Sequence, residues 1–446
     1  MVVSIASMAS VESPMASIEP QKPSAQPPKP NWRLPVLLLS LGWALAFSVL
    51  TSGAATLNLA GAQLSSEAFH STALAVVTFS AGFYNLVLPK EIASLGRWRS
   101  YLFGAATGCV GCLISMAGCE ASSMAMLCLG GVLTGVGLCH GQNFRFGVTL
   151  CLPDPELAPV AISWVMAGGI IGALLGPEYA RHARDLLPAE YSGVFAVSAA
   201  AFGLLFLLLL ASAGPLHALR GRVNKSDPTS VADADRRRPL RVVYAQPRVA
   251  AATFVAAISY AVMVFLMAAL PLSMKDVGHT FDEISGTIQA HMVAMFLPSF
   301  GTGHLVRRFG APLLEVVGAA LMAAGGAVML AYPRTLGGFA ASQSLVGVGW
   351  NFAFVAATSS LQKLTRPGDE RTAVQSANDV CVFGLSGASA LLAASALDEI
   401  GWSSLHTYVL FLTCGAIVVA VFVSEALARR TKSDARVAAG SQTCTK

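Results

Sequence analysis

Charge is what this 446-residue sequence has least of. Asp, Glu, Lys and Arg together make up 12% of it, about half their share in soluble globular domains, while the hydrophobic residues make up 54%. So little charge cannot cover a soluble body of this size. The signatures of soluble chemistry are missing too. No Gly-Lys-Ser/Thr phosphate loop, His-Glu-x-x-His pair or Gly-x-Ser-x-Gly elbow occurs in the sequence, so nucleotide hydrolysis, zinc hydrolysis and serine-esterase chemistry lose their usual footholds. Neither a cofactor nor a bound metal is expected, and the chain does not read as an enzyme. Eight of the nine cysteines fall in or beside apolar runs, including Cys109-x2-Cys112, and only Cys444 lies in a polar tail; they read as small helix-packing residues without a disulfide framework.

What is present is a series of apolar runs. A hydrocarbon layer about 30 Å thick needs roughly 20 such residues per helix. Twelve candidates satisfy this: about 35–60, 68–88, 101–119, 122–149, 158–177, 192–213, 249–273, 285–305, 311–331, 336–362, 372–396 and 405–427. The reading is an all-α membrane protein, with a polar tail over 1–32, bundles over 33–214 and 249–428, a linker over 215–248 and a second tail over 429–446. No cleavable leader is expected, because the first apolar run is itself long enough to span.

With the N-terminus placed inside, 24 of the 29 Lys and Arg residues fall in inner segments, eight of them between Arg220 and Arg248. Only Arg181, Arg184, Lys275 and Arg334 fall in outer loops, so both termini are expected in the cytoplasm. The linker's Arg236-Arg237-Arg238 reads as solvated or lipid-facing, and no nucleic-acid partner is expected. The cell-surface membrane is the default location, the bilayer the expected surrounding and a monomer the expected state.

The chain is also written twice. Leu133-Thr134-Gly135-Val136-Gly137 returns as Leu345-Val346-Gly347-Val348-Gly349, with Pro155 and Pro367 each 22 residues further on. Gly96 and Gly310 precede the two copies, and Gly172 and Gly384 stand 17 residues after the two prolines. A duplicated, almost wholly apolar half points to a transporter made of two parallel repeats around a central path.

Two six-helix halves, a basic turn between helices 2 and 3 and its echo between helices 8 and 9 resemble the major facilitator superfamily (MFS). The first copy of that turn reads Pro89-Lys90-Glu91-Ile92-Ala93-Ser94-Leu95-Gly96-Arg97-Trp98-Arg99. Pro89 replaces the family's first glycine and Ala93 its acid, so the basic cluster remains while the usual charge relay is broken. The segments 267–274, 288–303 and 349–352, with Gln375-x2-Asn378-Asp379 and Phe144-Arg145-Phe146, resemble a mostly bacterial subgroup for some of whose members riboflavin uptake has been proposed. The resemblance implies twelve helices in two pseudo-symmetric bundles, with helices 1, 4, 7 and 10 lining a cavity and contacts of helix 2 with 11 and of helix 5 with 8.

Ionisable and amide groups at bilayer depth are costly, so each is a candidate for function. His291 is placed to bind substrate or carry a proton, with Gln289 two residues earlier. Its alternative is a histidine bonded to a neighbouring helix. Asp379, with Asn378, lies roughly 12 Å inside helix 11 at 1.5 Å per residue. It is expected either to bind a proton or to latch the cytoplasmic side against Arg97, Arg99 or Arg145. Arg145 with Gln142, and Trp350 with Asn351, complete the substrate candidates, while snorkelling and ordinary packing remain their bland alternatives. Glu178 reads as solvated at the outer mouth. The expectation is a secondary active transporter of a small organic solute, working by alternating access and coupled to protons; a passive facilitator and a non-transporting receptor are the alternatives.

Overall fold

A computed structural model gives the architecture and describes residues 32–65, 69–154, 157–220, 238–366 and 369–443. The tail over 1–31, Arg236 and Arg237 of the linker, and Cys444 lie outside those residues.

The first half comprises α1 (Arg33–Leu64), α2 (Thr72–Tyr84), α3 (Leu88–Leu95), α4 (Arg97–Glu120), α5 (Met124–Gly147), α6 (Ala158–Ala183) and α7 (Ser192–Ala211). The second comprises α8 (Pro247–Asp276), α9 (Phe281–Phe296), α10 (Ser299–Phe309), α11 (Ala311–Ala331), α12 (Leu336–Leu364), α13 (Asp369–Ile400) and α14 (Trp402–Thr443). Among the described residues, ten helices are long and apolar enough to cross a membrane, or eleven where α2 and α3, bent by 56°, count as one span. The expected continuous helix over 285–305 is instead broken at Leu297-Pro298, where proline supplies no amide to the helical ladder. The expected helix over 68–88 stops at Tyr84 for a related reason, with Pro89 starting a new turn. At the other extreme, α14 runs on well past the expected end near 427.

Both halves use the same hinge. A short helix, α3 or α10, ends at a glycine that also caps the next long helix. Gly96 has φ +81° and ψ 153°, and Gly310 has φ +87° and ψ 154°. That region of backbone space is essentially closed to side-chain-bearing residues, which explains why the duplicated sequence keeps glycine at both points.

Small residues set the close helix contacts. Gly168, Gly172 and Gly176 lay one face of α6 on α1, so that a Cβ on any of them would strike Ser40, Ala44 or Thr51. Gly137 of α5 meets Gly108 of α4, and Gly349 of α12 meets Gly318 of α11. The halves meet along two seams, α2 against α13 and α6 against α9. At the first seam Phe383 of α13 sits on Gly82 of α2, and Phe79 of α2 sits on Gly387 of α13.

The linker is tied down where it enters the second half. Arg238 grips Glu370, at the start of α13, through two guanidinium bonds of 2.6 and 2.9 Å, while Glu370 also accepts from the Arg366 amide at 2.9 Å. Hydrogen bonds from Arg238 hold the Glu370 carboxyl at about 2, although its burial acts the other way. A carboxyl lowered in the folded state stabilises it above the ordinary value of 4.5 and loses that contribution as pH falls towards 2. Arg238→Gln should therefore lower the apparent Tm by a few degrees at pH 7, and the gap to the wild type should close below pH 4.5. Thermal unfolding in detergent across pH measures this; a gap that stays constant down to pH 3 would contradict it.

Candidate functional site

A cavity of about 150 Å³ lies between the halves. It is lined from α1 by Trp43, Phe47, Leu50 and Ala54, and from α8 by Tyr260, Met263, Val264 and Met267. Those positions recur every three or four residues, which places each set on one helix face. From α5 come Leu138, Gln142 and Arg145; from α9, Met292, Met295 and Phe296; from α12, Trp350 and Phe354; from α13, Asp379, Val382 and Phe383.

Aromatic rings form a continuous wall that crosses from one half to the other. Trp43 packs on Phe47 at 5.1 Å, and Phe47 meets Phe296 edge-on at 4.8 Å. Phe296 faces Trp350 at 6.5 Å, which stacks on Phe354 at 5.1 Å with 12° between their planes. Tyr260 stands edge-on to Trp350, Phe354 and Phe383. Such pairs are each worth about 0.5–1.5 kcal/mol beyond the area they bury.

Against this wall stand few polar groups. Arg145 and Asp379 share the cavity without an ion pair inside 4.0 Å, and Arg145 is the cation whose charge acts on Asp379. The indole N–H groups of Trp43 and Trp350 are both buried and have no hydrogen-bond partner. A buried donor left unpaired costs about 1–3 kcal/mol. Trp43 Nε1 lies against Gly169 of α6, so these indoles offer the cavity their rings and not their N–H groups.

The structure thus brings together Gln142, Arg145, Trp350 and Asp379 of the expected residues and places the others elsewhere. His291 is fully buried behind the cavity, its Nδ1 2.7 Å from the Gln343 carbonyl oxygen and its Nε2 without a partner. Gln343 and Ser342 in turn reach His406 of α14 at 3.3 and 3.2 Å, so His291 belongs to a polar knot inside the second half. Gln289 lies in an outer groove, where it donates to the Leu174 carbonyl at 2.9 Å.

Asn351 points away from the cavity wall. It donates to the Met295 carbonyl at 2.7 Å and Ser299 Oγ at 2.6 Å, and accepts from Thr302 Oγ1 at 2.7 Å. Those three bonds staple the α9–α10 break. Asn378 donates to Asp379 Oδ1 at 3.3 Å. Arg97 is committed to Asn143 Oδ1 at 3.1 Å and Arg99 is exposed, so neither holds Asp379 in this conformation. Glu178 is half exposed and pairs with Arg181 and His182.

Sequence reasoning missed Trp43, Phe47, Tyr260 and the methionines. Their helices are apolar all round, so periodicity alone does not single out the cavity face; the signal is the three-to-four spacing of large aromatic and Met residues on α1 and α8. A second omission is a buried cluster around Glu91. It accepts hydrogen bonds from the hydroxyls of Tyr84 and Ser100 and lies 3.1 Å from His140 Nε2.

Two duplicated helical halves around an aromatic-walled cavity, with a cation and an acid in its lining, make a membrane carrier for small solutes. The chain matches the family model for the Major Facilitator Superfamily over residues 36–391 and belongs to that superfamily. It is 34% identical over 357 residues to the riboflavin transporter RfnT of Brucella anthropi, a match covering 78% of this chain and 85% of that protein. It is also 26% identical over 341 residues to the uncharacterized MFS-type transporter YddS of Bacillus subtilis, covering 74% of this chain and 77% of the relative. Among solved structures, a D-xylose-proton symporter superposes with a TM-score of 0.69 at 14% identity, covering 88% of this chain and 97% of its own. The nucleoside transporter NupG gives 0.63 at 14% identity, covering 88% and 99%. At that identity the likeness establishes the fold. The protein is a multi-pass membrane transporter of small solutes and not an enzyme.

The staple at Asn351 gives a prediction separate from transport. Asn351→Ala strands Met295, Ser299 and Thr302 and should destabilise the protein by about 2–3 kcal/mol, read as a lower apparent Tm. An unchanged Tm would return Asn351 to the substrate candidates.

Proposed function

We propose that the chain carries a flat heteroaromatic solute of the riboflavin type by alternating access, driven by protons. The carrying observation is the cavity itself, walled by the rings of Trp43, Phe47, Phe296, Trp350 and Phe354 with Gln142, Arg145 and Asp379 in its lining. The flavin ring offers a broad π-face to such a wall. Its pyrimidine edge presents carbonyl oxygens for the Arg145 guanidinium and a ring N–H for the Gln142 amide oxygen. The riboflavin transporter among the relatives supports the same solute.

The cross-half contacts support a reading of the state. Asn58 of α1 donates to the Ala268 carbonyl at 2.6 Å, and Tyr191 and Arg184 both pack on Phe281. All lie at the end carrying the α1–α2 and α6–α7 turns. The α3–α4 and α10–α11 turns with their basic residues lie at the other end, and the distribution of Lys and Arg supports reading that end as cytoplasmic. The conformation is therefore shut on the outside, with Arg145 and Asp379 towards the inner side. In the proposed cycle the two halves rock about the α2–α13 and α6–α9 seams, the chain acts as a monomer in the plasma membrane, and Asp379 exchanges its partners between states. A ligand drives this only through unequal affinity for the two conformations.

Flavin fluorescence quenching on purified protein, followed by counterflow of labelled riboflavin in proteoliposomes, tests the proposal. Wild-type protein should bind and exchange riboflavin. Trp43→Leu removes a ring from the wall and should weaken binding roughly three- to tenfold, as the loss of one aromatic contact implies. Asp379→Asn should retain binding but slow exchange at equal expression. Failure of the wild type to bind or exchange riboflavin would refute the solute, and wild-type exchange by Asp379→Asn would remove that residue from the cycle.

A further inference from the structure

The cluster around Glu91 lies outside the cavity and its hydrogen bonds do not balance without an extra proton. His140 is 1% exposed. Its Nδ1 lies 2.9 Å from the Val136 carbonyl oxygen, and its Nε2 lies 3.1 Å from Glu91 Oε1. A carbonyl can only accept. The Glu91 carboxylate already accepts from Tyr84 on one oxygen and Ser100 on the other, and a carboxylate surrounded by donors is held in its ionised form. A neutral imidazole has a single N–H, so it can serve Val136 or Glu91 but not both. We infer that His140 and Glu91 form a buried proton-binding site, occupied in this conformation as an imidazolium–carboxylate pair, and that this proton is the one coupled to transport.

The site is built to hold the ring in place. Gly104 of α4 lies beneath the imidazole, and a methyl there would collide with it. Phe103 meets the ring edge-on at 6.1 Å, and Tyr84 lies 5.4 Å away. The other titratable groups around it are identifiable by helix. From α4, Arg97 and Tyr101 both engage Asn143, one turn along α5 from His140. On α5 itself, Cys139 adjoins the ring and feels the Asp379 charge from α13, and Arg145 faces the cavity. The titratable residues of α6 (Glu178, Tyr179, Arg181 and His182) lie at the opposite end of the molecule, and α1 carries only its terminal Arg33. Glu91 is therefore the anion in direct contact with the ring.

The position of the pair connects it to the seam. Glu91 is on α3 and His140 on α5, so the occupied site fastens the short helix after the 56° bend to the first half. Tyr84, at the end of α2, joins the same carboxylate, and α2 carries the Gly82 and Phe79 contacts with α13. Loss of the Nε2 proton leaves Nδ1–H on Val136 and turns an imidazole lone pair towards a carboxylate. That arrangement repels, loosens α3 from α5, and shifts the α2 face on which the second half rests.

The inference rests on the proposed proton-driven cycle, but its first test needs no solute. In ¹⁵N-histidine NMR of the protein in lipid nanodiscs at pH 7, the signal removed by His140→Gln should report a ring protonated on both nitrogens. In Glu91→Gln the same ring should be neutral. A neutral ring at that signal in the wild type overturns the site, as does a charged ring in Glu91→Gln. In proteoliposomes, Glu91→Gln should lose accumulation of riboflavin along an imposed pH gradient, by tenfold or more, while keeping counterflow. Gradient-driven accumulation at the wild-type level in that variant overturns the coupling role. If wild-type protein moves no riboflavin, the solute assignment fails, and the ring spectra still decide the proton site.

Discussion

The seam between α2 and α13 is the contact on which the rest of this molecule depends. Each helix places a phenylalanine on the other's glycine, Phe383 on Gly82 and Phe79 on Gly387, so the two backbones approach closely. Packing of this kind is attractive at short range and has little directional preference, which suits a seam about which the proposed rocking would turn. The residues beside it build the site. Val77, Thr78 and Ala81 of α2 and Asp379, Val382 and Phe383 of α13 all face the same cavity. A change in the angle of this seam necessarily changes the cavity.

The polar groups divide by depth in a way that follows from their surroundings. In a medium without water, donors and acceptors must be satisfied inside the protein. Most are: Asn351 saturates three groups at a helix break, Thr51 bonds across to the Gly172 carbonyl at 2.9 Å, and Ser389 reaches Ala261 at 2.8 Å. Against that background the unmatched groups are informative. The His140 ring faces two acceptors and calls for a proton. The proposed solute rests instead on the ring-walled cavity, so the two readings come from different parts of the molecule.

Much of the fold was legible in the sequence, because the number of long apolar runs and the doubled glycine pattern are both coarse features. Gly96 and Gly310 were paired from spacing alone, and both turn out to hold positive φ at the same hinge. The helix breaks were not legible. A proline in an apolar run is compatible with a straight, kinked or broken helix; Pro177 and Pro271 lie inside α6 and α8, whereas Pro298 marks a break. Of the site, Arg145, Gln142, Trp350 and Asp379 were found because polar or large residues in apolar runs stand out. His291 and Asn351 stood out equally and proved to be bonded within the second half. Rarity in the sequence identifies a residue that needs a partner, but it does not say whether the partner is a ligand or a neighbouring helix. Glu91 stood in the helix 2–3 turn with no role read from it, and its meaning required His140, 49 residues away, at hydrogen-bond distance.

Double electron–electron resonance tests the proposed rocking about the seam most directly. In a cysteine-free background, one spin-label pair would join Leu186 to Arg334 at the outer end, and a second would join Ser94 to Lys363 at the inner end, all four being exposed positions. Across changes of pH and added riboflavin, the outer distances should lengthen as the inner ones shorten, with matched populations at the two ends. Distances that change together at both ends, or that stay fixed at both under every condition, would contradict the account.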